Sequence, residues 1–162
     1  MKSFKQLFME SSLSKIYRSY IEHDSGTISA FRGNNSYSEN KKLSNKLKKI
    51  LEGKGYSVTK IDGVYIENYG KKNAVEVAEE SYVVVDIKDD GKLSKTLEAL
   101  GNQFKQDSVT FSKKGGEYYL IGTSPYDDVY PGTGKWLKLG KPMFSEKGEF
   151  YSKVNGRPFI FK

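Results

Sequence analysis

The stretch YSVTKIDGVYIENYGKKNAVEVAEESYVVVDIK, residues 56–88, decides the fold of this 162-residue chain. Valine, isoleucine, threonine and tyrosine recur at alternate positions in YSVTKI, GVYIE and EESYVVVDIK, the pattern of half-buried strands. Asp62-Gly63 and Gly70 with its flanking lysines are turn residues between them, so the stretch predicts three strands joined by two tight turns.

A helix is expected on each side of this block. Upstream, Leu43, Leu47, Ile50 and Leu51 fall on one stripe at helical spacing, Ser36 with Glu39 makes a capping box at its start, and Gly53 and Gly55 stop it. Lys41, Lys42, Lys46, Lys48 and Lys49 fill the rest of that helix, as a solvated face does. Downstream, Leu93, Leu97, Leu100 and Phe104 mark a second helix that Asp89 or Asp90 can cap. TISAF, DSVTFSK and EYYLIGT read as further strands, the last two joined at Lys113-Lys114-Gly115-Gly116. Near the N-terminus, Phe4, Leu7, Phe8, Leu13, Ile16, Tyr17 and Tyr20 suit one or two amphipathic helices.

From Ser124 onward, glycine, proline and aromatic residues dominate, and the chain ends in a predicted hairpin turning at Asn155-Gly156. The expected architecture is therefore α/β (α+β): a single mixed sheet with two main helices packed on it, an N-terminal helix and an aromatic C-terminal extension. Residues 1–22 form the amphipathic N-terminal segment, 26–123 the core domain and 124–162 the extension laid over it.

With no cysteine and a single histidine, His23, thiol nucleophiles, disulfides and Cys-based zinc sites are excluded. Any catalysis falls to carboxylates, an arginine or a bound hard cation. No apolar run reaches the roughly 18 residues of a membrane span, and no secretory signal opens the chain, so no membrane association and a cytoplasmic location are expected. The net charge of +7 is uneven: residues 1–54 sum to +6, 55–130 to −4 and 131–162 to +5. Basic ends suit a polyanionic partner, although 24 of the 27 basic residues are lysines of the kind that simply solvate a surface. The three arginines, Arg18, Arg32 and Arg157, each invite a specific explanation.

Several pieces taken in order carry a resemblance: ISAFRG with Glu39-Asn40 soon after, GKGY, GVYIE, EESYVV and FKQDSV. Between about Ile28 and Thr123 the chain resembles a family of small α/β proteins of unknown function found in bacteria and tailed phages. It lacks the proline that the commoner bacterial form has near Gly33, and it adds the aromatic extension of the phage relatives. The opening MKSFKQLFME resembles the capsid-targeting peptides of T-even-type phage internal head proteins, which implies cleavage after Glu10 by a maturation protease and docking on a head scaffold. The plain alternative is an ordinary first helix packed on the domain.

Polar residues at predicted strand ends form the first candidate site. Arg32, Asn40, Gln106 and Asp107 are candidate ligand-binding groups for a phosphate, nucleotide or carboxylate, with Glu67 or Glu80 available for acid–base work. Their plain reading is structural, with Arg32 neutralised by Glu80 and the amides bonding free backbone groups. Asp86-Ile87-Lys88 resembles the acidic-x-lysine motif of restriction-type nucleases, where Asp62 or Glu67 completes a magnesium site. PGTGK departs from a phosphate loop, because no glycine stands at position 129 and Trp136 follows Lys135. Lys135, Trp136, Lys138 and Arg157 are candidate nucleic-acid contacts, or else they cover the core.

The expectation drawn from these features is a phage-encoded accessory protein, packaged in the head or acting in the host cytoplasm, that binds a host protein or nucleic acid and needs no cofactor. The alternative is a nucleotide- or nucleic-acid-processing enzyme, dependent on Mg2+ if nuclease-like. A third reading is a DNA-associated head component.

Overall fold

The computed structural model describes residues 15–67, 72, 75–126, 131–143, 150–154 and 157–161; for 62–67, 75–78, 142–143, 150–154 and 157–161 the backbone alone is described. The helix α1 covers residues 15–22. It is followed by β1 (Ser25–Ser29), α2 (Tyr37–Gly53), β2 (Ser57–Glu67), β3 (Val75–Val85), α3 (Leu93–Gln103), β4 (Ser108–Ser112) and β5 (Tyr118–Gly122). Four short strands complete the chain: β6 (Trp136–Gly140), β7 (Pro142–Met143), β8 (Phe150–Val154) and β9 (Arg157–Phe161). The strands form one sheet in the order β6-β5-β4-β1-β3-β2-β8-β9-β7, and every strand pairing in it is antiparallel. The expected α/β fold is present, with the helices laid on the sheet.

Residues 56–88 give two long strands where three short ones were expected. Ser57–Glu67 runs unbroken through Asp62-Gly63, and all eleven of its residues are in register with β3, from Ser57 opposite Val85 to Glu67 opposite Val75. A turn at Asp62 would forfeit the pairings of residues 64–67 and the second ladder that Asp62–Tyr65 makes with β8. A local turn preference is worth less than two ladders of backbone hydrogen bonds. Val154 pairs with Arg157, and the turn expected at Asn155-Gly156 lies outside the described residues.

Strand alternation sorts β3 into two faces. Tyr82 and Val84 point into the core with Ile28 of β1 and Ala30 just beyond it, under Leu47 and Leu51 of α2 and Leu93, Leu97 and Leu100 of α3. Each of those leucines is at most 4% exposed, and burying one contributes about 1.5–3 kcal/mol. The capping box is formed: Ser36 Oγ accepts from Glu39 N at 3.1 Å and Glu39 Oε2 accepts from Ser36 N at 3.1 Å. The second helix differs from expectation, since α3 begins after Lys92 with no side-chain cap, while Asp90 Oδ1 accepts from Lys92 N in the preceding turn. Gly26 lets α3 lie directly on the sheet, because a Cβ there would collide with Leu97 Cδ1 and the Thr110 carbonyl.

The opposite face carries Ser25, Thr27 and Ser29 of β1 with their register partners Val85, Val83 and Ser81, and Thr110 and Ser112 of β4. At its hairpin end α1 docks through Tyr20, 5% exposed, whose ring stacks on Tyr118 at 5.7 Å and whose hydroxyl donates to the Gly116 carbonyl. Burial pushes the Tyr118 phenol up to about 12, and it shares a 2.6 Å hydrogen bond with Ser25 Oγ.

Candidate functional site

Polar residues converge where β1 leaves the sheet, and their target is the backbone of Phe31 and Arg32. Ser29 Oγ accepts from Phe31 N at 3.0 Å and donates to the Glu80 carbonyl at 2.7 Å. Asn40 clasps Arg32 twice, Oδ1 accepting from its N–H at 2.9 Å and Nδ2 donating to its carbonyl at 3.0 Å. Gln106 Nε2 donates to the carbonyls of Phe31 and Phe104, both at 3.2 Å. Asn40 and Gln106 thus bond free backbone groups, the structural reading of those two residues.

Arg32 and Glu80 do not pair. The Arg32 guanidinium donates to the Lys105 carbonyl, just past the C-terminal end of α3, and its Nε to Asn34 Oδ1 at 3.4 Å, where a cation suits the negative end of the helix dipole. Glu80, 8% exposed, faces the helices and is held by Lys41 Nζ at 3.0 Å and Lys60 Nζ at 2.6 Å. Desolvation alone would raise its carboxyl, but hydrogen bonds and charge from the two lysines outweigh that and hold it below the ordinary carboxylate range.

The adjacent Glu79 lies on the other face and in the opposite condition. Its outer surface is open, yet its carboxyl sits amid enough protein that desolvation raises it above the ordinary range; a hydrogen bond from Ser29 opposes the shift and the Asp107 carboxylate adds to it. Among the described residues no ion pair engages Glu79. Gly63 stands opposite it in β2, so strand alternation puts residues 63, 65 and 67 on the same face as Glu79. Glu67 therefore belongs by backbone position with Glu79 and away from Glu80, about 13 Å along the strand. The sequence reading missed Glu79. The signal available was the alternation itself: if Tyr82 and Val84 face inward, so does Glu80, and Glu79 cannot.

Asp86 and Lys88 make no metal site. Asp86 is 1% exposed and both carboxylate oxygens are used on its own loop, Oδ1 accepting from Asp90 N at 3.1 Å and Oδ2 from Gly91 N at 3.0 Å. The Lys88 side chain lies across Gly55, where a Cβ would stand 2.8 Å from Nζ. Among the described residues no group of three His, Cys, Asp or Glu side chains is placed to hold a metal ion.

Of the candidate nucleic-acid residues, Lys135, Trp136 and Lys138 are exposed on or just before the edge strand β6. Trp136 meets Phe111 edge-on at 5.9 Å and Tyr119 at a tilt at 5.7 Å, and the three rings line an open pocket of about 500 Å³ with Lys113, Gly116 and Glu117. Lys138 pairs with Glu117 at 2.7 Å, and Lys135 lies over Gly132. Arg157 sits at the start of β9, opposite Val154, with its side chain outside the described residues, as is Glu10. No helix among the described residues is long and apolar enough to cross a membrane.

Residues 26–162 match the sequence profile of the S-adenosylmethionine lyase family. No curated protein matches the chain. Among solved structures, a phage SAM lyase in complex with S-methyl-5'-thioadenosine is similar at 18% identity and a TM-score of 0.38, over 64% of this chain and 91% of that one. The profile match overturns the expectation of an accessory protein acting by binding alone, packaged or DNA-associated, and the alternative of a magnesium-dependent nuclease. It also corrects the unknown function expected from the ISAFRG to FKQDSV pattern: these pieces lie within a family named for an enzymatic activity.

Proposed function

The chain belongs to the S-adenosylmethionine lyase family, and we propose that it cleaves S-adenosylmethionine at the bond between the sulfonium sulfur and the γ-carbon of the aminobutyryl arm. The observation that carries this reading is the profile match across residues 26–162, which takes in β1 through β9.

The chemistry constrains what the protein must supply. Breaking the S–Cγ bond sends its electron pair to sulfur and turns a sulfonium cation into a neutral thioether. The γ-carbon is then satisfied either by the substrate's own carboxylate oxygen, closing a lactone, or by loss of a β-proton to a base with formation of a carbon–carbon double bond. In the first route opposite charges annihilate, and a surrounding drier than water lowers the barrier. In the second a carboxylate must take the proton, and one raised toward neutral pH does so best.

The face of Glu79 meets the second demand better than the face of Glu80, whose carboxylate two lysines already neutralise. Glu79 takes the β-proton beside the sulfonium and Asp107 holds the α-ammonium of the substrate, while Glu67 lies further along the same face of β2. Arg32, Asn40 and Gln106 position this end of the sheet. The reaction needs no metal ion, and it is assigned to the cytoplasm of the host in which a phage member of the family is made.

The test follows loss of S-adenosylmethionine on addition of the purified full chain with no methyl acceptor present. The substrate disappears catalytically, the rate climbs with pH as Glu79 ionises above the ordinary carboxylate range, and Glu79→Gln removes that limb and slows turnover at least roughly tenfold, the scale of a lost general acid or base. A wild-type chain that leaves the substrate intact rules the reading out.

A further inference from the structure

Three buried polar side chains are committed to the backbone of two residues. Ser29, Asn40 and Gln106, at 6, 7 and 8% exposure, direct hydrogen bonds to the backbone of Phe31 and Arg32. The neighbouring elements do not require it: β1 ends at Ser29, and α2 starts at Tyr37 with its own capping box. What the bonds do fix is an aromatic pair. Phe31, half-buried, meets Tyr37 edge to face, with ring centroids 6.2 Å apart and planes at 82°. Tyr37 is 68% exposed and buries too little surface to be explained by stability. Phe31 N donates to Ser29 Oγ at 3.0 Å, and the same Ser29 side chain acts on the Glu79 carboxyl, so the backbone that carries Phe31 lies next to the proposed reaction site.

We infer that Phe31 and Tyr37 form the platform on which the adenine ring of the substrate stacks, an inference that rests on the lyase reading. A purine presents a flat π face that an aromatic side chain recognises without a charge, and rigidly held rings lose little entropy on binding it. The ribose then spans from the platform toward Glu79, where the sulfonium end of the substrate is held.

Steady-state kinetics on S-adenosylmethionine test this with the full chain, Tyr37→Ala, Tyr37→Phe and Phe31→Ala. Because stacking on one ring is worth about 1–3 kcal/mol, Tyr37→Ala should raise KM roughly tenfold with kcat within about twofold, and Tyr37→Phe should restore KM. Tyr37 is a surface residue, so its variants stay folded, and Phe31→Ala should move KM in the same direction. An active wild type whose KM is unchanged by Tyr37→Ala overturns the platform and leaves the lyase reading standing. A wild type inactive on the substrate overturns both.

Discussion

Glu79 and Glu80 share a peptide bond and nothing else, because one residue of register puts them on opposite faces of β3. Glu80 faces α2 and is neutralised by Lys41 and Lys60; Glu79 faces Gly63, Ser29 and the Asp107 charge. Since the folded protein holds Glu80 below its ordinary 4.5, its contribution to stability is present above that pH and is lost as pH falls through the lowered value. Glu80→Gln should therefore cost about 2 kcal/mol at pH 7, moderated because both lysines reach solvent, and should lose less stability than wild type between pH 7 and pH 3. Urea titrations at the two pH values check this; equal losses on acidification would show that Glu80 is not a linked group. Arg32, Asn40, Gln106 and Asp107 were legible from sequence because polar groups at strand ends stand out. Their roles were not, since whether an amide meets a ligand or a backbone carbonyl depends on contacts 75 residues apart, such as Gln106 with Phe31.

At the scale of elements, the two main helices could be read from the sequence because their apolar stripes and the Ser36–Glu39 box are local signals. Asp62-Gly63 misled for the complementary reason: the pair scores as a turn locally, and only the partners β3 and β8 make a continuous strand the better choice. The seating of α3 gives a direct check on packing. Gly26→Ala should drive Leu97 and α3 outward and destabilise the protein by roughly 1–3 kcal/mol, as overpacking of a close contact does. The denaturant midpoint should fall with an unchanged slope. No shift in midpoint would mean that the helix can move away at no cost, contrary to the contact at Gly26.

For the whole molecule, one antiparallel sheet separates two chemistries. The helix-covered face carries the apolar core with the Glu80–lysine cluster at the middle of β3, and the other face carries the hydroxyl row, Glu79 and, by register, Glu67. Composition pointed toward polyanion binding because net charge is the loudest whole-chain signal, while the chemistry proposed for the Glu79 face would leave its mark in a few carboxylates that a sum of charges conceals. The most direct measurement identifies what becomes of the sulfonium: mass spectrometry or proton NMR of the products after S-adenosylmethionine is incubated with the purified full chain alone. The account predicts one S-methyl thioether of adenosine for each substrate molecule consumed, its methyl group retained. Recovery of intact S-adenosylmethionine, or of a product that has lost the methyl group, would contradict it.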